Sequence, residues 1–172
     1  SGQLRAALAN ELGLPAGIPV AGGAGDNAAS ALGLGTIAPG AAFASLGTSG
    51  VLFVATDGFA PNADSAVHAF CHALPGRWHQ MGVILAATDA LNWLAGITGA
   101  DAATLTGELG QAITAPGPEL FLPYLGGERT PLNDADARGQ LLALSHASDR
   151  AALTRAVLQG VSSAFRDCLD AL

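Results

Sequence analysis

The chain has 172 residues, 7 of them basic and 14 acidic, for a net charge of −7; it is 50% apolar, 12% charged and 5% aromatic. Every cation is Arg, so its own residues supply no Walker-type phosphate loop, no Schiff base and no Lys general base, and an acidic chain is poorly suited to nucleic acid. The uncharged stretch from Asn27 to Thr56 is broken by Gly33, Gly35, Pro39, Gly40, Gly47 and Gly50, too often for a membrane span, and the high apolar content argues against disorder.

Leu4, Leu8 and Leu12 recur at four-residue spacing and predict a short helix ended by Gly13 and Pro15. Ile18 to Ala21 reads as a strand running into a glycine turn at 22–25, with Asp26 as the N-cap of a second helix from Asn27. Beyond Pro39-Gly40, the apolar runs 42–46 and 51–55 flank Gly47-Thr48-Ser49-Gly50 as the arms of a hairpin flank its turn. Trp78 to Val83 predicts a strand, Leu85 to Leu94 a helix, Asp101 to Ile113 another helix, and Leu120 to Tyr124 a strand followed by a polar loop to Asp136. The last helix is capped by Asp149, with Leu153, Val157, Val161, Phe165 and Cys168 on one face. Strands alternating with helices predict an α/β architecture. Cys71 and Cys168 lie far apart in no disulfide or metal pattern, as expected of a reducing, cytoplasmic setting.

Four segments carry candidate chemistry. Asp26 stands at the mouth of a strand–helix turn, where a carboxylate either accepts a proton from a substrate or caps the helix. Gly47-Thr48-Ser49-Gly50 gathers N–H and hydroxyl donors in a turn, which suits a phosphate and is equally an ordinary hairpin. His68, His72 and His79 lie near Cys71, but Pro75-Gly76 opposes the helix that the His68–His72 spacing would need; no metal held by protein ligands is expected. Glu128 and Arg129, in Gly126-Gly127-Glu128-Arg129-Thr130-Pro131, are either surface contacts within a loop or residues facing a cleft at a strand end.

Taken in order, Gly25-Asp26-Asn27-Ala28-Ala29, Ser45 to Gly50, His68 to Pro75, Leu122 to Pro131 and Arg155 to Gly160 resemble the FGGY family of carbohydrate kinases, across nearly the whole chain. The stretch Gly139 to Gln159 is similar to a family signature, with Ala143 where a Gly is usual and Ala152 where a polar residue is usual. The resemblance implies a partial actin-like ATPase (ribonuclease H-like) α/β fold, with residues 1–39 closing a sugar-binding first domain and residues 40–172 opening a nucleotide-binding second domain. It implies that Asp26 is the catalytic base, that Asp26 and Asn27 touch the sugar, and that Gly47, Thr48, Ser49, Gly50 and Asn92 touch ATP, which brings its own magnesium. The activity it implies is ATP-dependent phosphorylation of D-xylulose to D-xylulose 5-phosphate; kinases of ribulose, gluconate or glycerol and a sugar-independent actin-like ATPase module are the alternatives. The family's first phosphate hairpin and its adenosine motif find no match here, so a fragment of a longer enzyme is expected, with a homodimer as one expected assembly.

Overall fold

The computed structural model describes residues 1–172. A small N-terminal unit pairs β1 (Gly2–Gln3) with β2 (Pro19–Val20) in antiparallel fashion around α1 (Ala6–Leu12), which ends at Gly13 in the left-handed conformation. Helix α2 (Asp26–Leu34) follows and ends at Gly35, also left-handed. Gly25, not Asp26, holds the N-cap position; Asp26 is the first helical residue, and its carboxylate bonds only to Asn27. The predicted cap therefore lies one residue late.

The centre of the molecule is a four-stranded sheet in the order β3-β4-β6-β5, formed by β3 (Ala42–Leu46), β4 (Gly50–Thr56), β5 (His68–Cys71) and β6 (Trp78–Ile84). All its ladders are antiparallel, so the α/β content comes with hairpin connections and helices on both faces. The register puts Phe43, Phe53, Met81 and His68 in one row, with Ala55, His79 and Phe70 in the next row on the same face. Helix α2 covers this face, setting buried Ala31 against Phe53 and Ala55. Strand β5 escaped the sequence reading because His-Ala-Phe-Cys alternates over only four residues.

Helix α5 (Arg150–Ala171) covers the opposite face, capped by Asp149, whose carboxylate accepts from the Ala152 N–H at 2.8 Å. It reaches the sheet because Gly82 leaves room for Cys168, and it approaches the backbone of Phe121 at Gly160, where any Cβ would collide. Phe121 belongs to β7 (Leu120–Leu122), which pairs with β8 (Gln140–Leu142), a strand with no periodic signal in the sequence. Helices α3 (Thr88–Thr98) and α4 (Ala102–Gly107) complete the second core, in which Ile84, Leu94, Leu105, Phe121 and Val157 are buried together. Both helices are shorter at one end than the composition suggests. Gly107 and the left-handed Gly110 stop α4 early, and Leu85–Ala87 are held out of α3 by bonds to Glu128, Ser49 and Thr48. No helix is long and apolar enough to cross a membrane.

Candidate active site

Asp26 is exposed at the start of α2, where one of its oxygens, Oδ1, accepts from the backbone N–H of Asn27 at 2.9 Å and from the Asn27 side-chain amide at 3.4 Å. The carboxylate borders a cavity of about 500 Å³, lined by Gly25, Asn27 and Ala28 on one side and by Phe70, Cys71, His79 and Met81 of the sheet on the other. Asn27 also borders a second concavity, shared with Ser30, Gly33 and Leu34 and with Phe43, Ala44 and Ser45 of β3. That concavity ends two residues before Gly47. It lies between α2 and the strand that leads into the hairpin.

The hairpin turn Gly47–Ser49 is docked on the start of α3. The Ala87 N–H donates to the Thr48 carbonyl at 2.8 Å, and the Thr88 N–H and hydroxyl donate to the Gly47 carbonyl at 3.0 and 2.7 Å. These bonds use carbonyls of the hairpin to satisfy N–H groups at a helix N-terminus. The N–H groups of Thr48 and Ser49 have no protein acceptor, and the exposed Thr48 hydroxyl has no partner. The Ser49 hydroxyl is engaged, donating to the Leu85 carbonyl at 3.2 Å. Of the two hydroxyls expected to face a ligand, Thr48 carries the free one. Asn92 is exposed on α3, one turn beyond Thr88 and on the same face, which puts it on the hairpin side of the helix.

The histidines form an aromatic cluster under α2. His79 is buried and stacks on Phe53 with ring centres 4.4 Å apart, while His72 meets it edge-on at 6.2 Å. Burial, and then the neighbouring His72, hold the His79 imidazole below its ordinary pKa. His72 accepts from the Leu74 N–H at Nδ1, so Nε2 carries the proton and donates to the Thr36 carbonyl at 3.2 Å. No three His, Cys, Asp or Glu side chains are arranged to hold a metal ion.

Glu128 is not a surface contact. It is 3% exposed, and its Oε1 accepts from the backbone N–H groups of Leu85 at 2.9 Å and Arg129 at 2.7 Å, while Oε2 is buried with no partner. Burial raises its pKa against the pull of those two N–H bonds. Arg129 is exposed, with its guanidinium 3.5 Å from His68 Nε2. Sequence spacing left this pair open because nothing local distinguishes an inward carboxylate from an outward one.

Residues 42–172 match the C-terminal domain of the FGGY family of carbohydrate kinases. The chain belongs to this family. Over 171 residues it is 47% identical to the xylulose kinase of Klebsiella pneumoniae, covering 99% of this chain and 35% of that protein; over 154 residues it is 47% identical to that of Escherichia coli K12, covering 89% and 32%. A crystal structure of a “xyloylose kinase” from Brucella ovis superposes with a TM-score of 0.93 at 61% identity, covering 99% of this chain and 35% of that one. The architecture is accordingly an α/β, partial actin-like ATPase fold, and the chain spans about a third of the length of these FGGY relatives.

Proposed function

We propose that the protein carrying this chain phosphorylates D-xylulose with ATP, giving D-xylulose 5-phosphate and ADP. The observation that carries the reading is a hairpin with two unpaired N–H groups and a free Thr48 hydroxyl, connected along β3 to an exposed carboxylate at the start of α2. Donors of that kind suit the phosphates of a nucleotide, and a carboxylate beside a roomy cavity suits an alcohol that must lose a proton. The 47% identity to two xylulose kinases supports the choice of sugar.

Phosphoryl transfer needs positioning and charge neutralisation more than covalent help. Asp26 orients the acceptor hydroxyl and takes its proton as the oxygen bonds to the γ-phosphorus and the bond to the ADP oxygen breaks. Asn27, bound to the same carboxylate oxygen, adds a sugar contact. Gly47, Thr48, Ser49 and Gly50 hold the phosphates, Asn92 lies toward the nucleotide, and magnesium enters with ATP. In this reading residues 1–39 close the sugar domain and residues 40–172 open the nucleotide domain, and the enzyme works in the cytoplasm, where ATP and free sugars meet.

ADP release by the full-length protein, measured against D-xylulose, D-ribulose, D-gluconate and glycerol, tests the assignment. The highest kcat/KM is expected for D-xylulose. A tenfold preference for another of the four would overturn the sugar, and ATP hydrolysis indifferent to all four would overturn the kinase reading.

A further inference from the structure

Strand β5 stops pairing with β6 at the His68–Met81 position, three residues before β6 ends. Beyond that point the exposed edge of β6 is completed by the Glu128–Thr130 loop. The Val83 N–H donates to the Thr130 hydroxyl at 3.0 Å, the Thr130 N–H donates to the Val83 carbonyl at 3.0 Å, and the Leu85 N–H donates to Glu128 Oε1 at 2.9 Å. The Thr130 hydroxyl in turn donates to the Ala66 carbonyl at 3.1 Å. Two side chains and one backbone N–H thus take the place of a missing strand.

Leu85 is held from both sides. Its N–H is bound by Glu128, and its carbonyl accepts from the Ser49 hydroxyl of the hairpin. Two residues on, Ala87 and Thr88 donate to Thr48 and Gly47. The path from Glu128 to the hairpin tip runs through four consecutive residues, 85 to 88, and every one of these bonds except Glu128's ends on the hairpin. Holding the N–H groups of Leu85 and Arg129 would need only a neutral oxygen. Glu128 nevertheless brings a carboxylate whose second oxygen is buried without a partner, a costly choice in a dry setting.

We propose that Glu128 is a positioning residue for the nucleotide: by pinning Leu85 it sets the height of the Gly47–Gly50 hairpin and the direction of its free N–H groups. The inference rests on the hairpin being the phosphate site. Its direct partners, Leu85, Arg129 and Asp134, all lie outside the lining of the cavity under α2, which puts the effect on the nucleotide side.

The test uses the full-length protein and two readouts: equilibrium binding of ADP and of D-xylulose, each alone, and the KM for ATP. Glu128→Ala is expected to weaken ADP and raise the ATP KM by at least about fivefold, with D-xylulose binding within twofold of the parent. Glu128→Gln, which keeps an oxygen for both N–H groups, should recover most of that loss. Ser49→Ala cuts the next link, so the Ser49→Ala/Glu128→Ala double variant should lose no more ADP affinity than the worse single one; additive losses would mean separate routes and overturn the proposal. Equal damage to ADP and D-xylulose binding would reduce Glu128 to a fold residue. Thr48→Val separates this inference from the reading it rests on. If Thr48→Val weakens ADP and Glu128→Ala does not, the positioning role alone falls; if neither does, the hairpin is not the phosphate site.

Discussion

Gly82 of β6 and Cys168 of α5 face each other with no room for one more carbon. A Cβ on Gly82 would lie 2.9 Å from the Cys168 Cβ and 3.2 Å from its sulfur. Burial pushes the Cys168 thiol up to about 12, so the group is an inert packing element at neutral pH. Gly82→Ala should therefore cost about 1–3 kcal/mol in urea unfolding, typical of overpacking, and Cys168→Ala, which keeps the Cβ and removes only the sulfur, should return little of it. Gly82→Ala at parental stability would mean that α5 does not bear on β6 this closely.

Asp26→Asn separates chemistry from folding more cleanly than its sequence context suggested. Gly25 holds the cap position, and the only hydrogen bonds of the Asp26 carboxylate go to Asn27, which an amide oxygen can also serve. Stability should stay within about 0.5 kcal/mol. As a proton acceptor the amide fails, so kcat of the full-length enzyme should drop by about a hundredfold or more while D-xylulose binding changes little. A kcat within threefold of the parent would remove Asp26 from catalysis.

Thr48→Val removes a hydroxyl that has no partner within the chain and keeps the branched shape. The fold should not register the change. A lost hydrogen bond to a charged group is worth about 1.5–3 kcal/mol, so the KM for ATP should rise about tenfold or more, with sugar affinity intact. An unaltered KM would make the segment a plain turn.

Glu128 also writes a pH dependence into stability. Its folded pKa lies above the ordinary carboxyl value of 4.5, chiefly through burial. Its stabilising share is therefore complete below that value and is lost as pH rises through the folded pKa. His79 is lowered, so its share is present above 6.5 and lost as pH falls through its folded pKa. Because the two act in opposite directions, the informative quantity is a difference. The stability of Glu128→Gln minus that of the parent should grow as pH is raised from below 4.5 toward neutrality; a flat difference would mean that the carboxyl is not desolvated.

Ala143, just after β8, has φ +59, in the left-handed region where a Cβ is strained. Ala143→Gly should raise stability by about 1 kcal/mol, the strain relieved less the extra freedom gained by the unfolded chain. Unchanged or lower thermal stability would contradict that conformation.

The elements with long periodic faces were legible from the residues. The stripe from Leu153 to Cys168 and the two arms around Gly47–Gly50 lie where their spacing puts them. What stayed hidden depends on partners distant in sequence. Leu85 to Ala87 have helical composition but are drawn into bonds with Glu128, Ser49 and Thr48, between 36 and 43 residues away for the side-chain links. Strands β5 and β8 exist because β6 and β7 offer them an edge. The Gly usual at position 143 made sense only once the backbone there was seen to be left-handed. Nothing in the sequence showed that one of two hydroxyls in the hairpin would turn inward.

Residues Asp26 to Thr36 meet the sheet through a single hydrogen bond, from His72 Nε2 to the Thr36 carbonyl. The buried remainder of the contact is Ala31 against Phe53 and Ala55, with Leu34 bordering the groove beside Phe43. A hydrogen bond of this kind is worth about 1 kcal/mol, so the segment is held chiefly by burial of its small residues. Asp26 stands on this thinly bonded segment, whereas the hairpin of Thr48 is fastened to α3 by the bonds from Ala87 and Thr88, so the two candidate groups are anchored unequally.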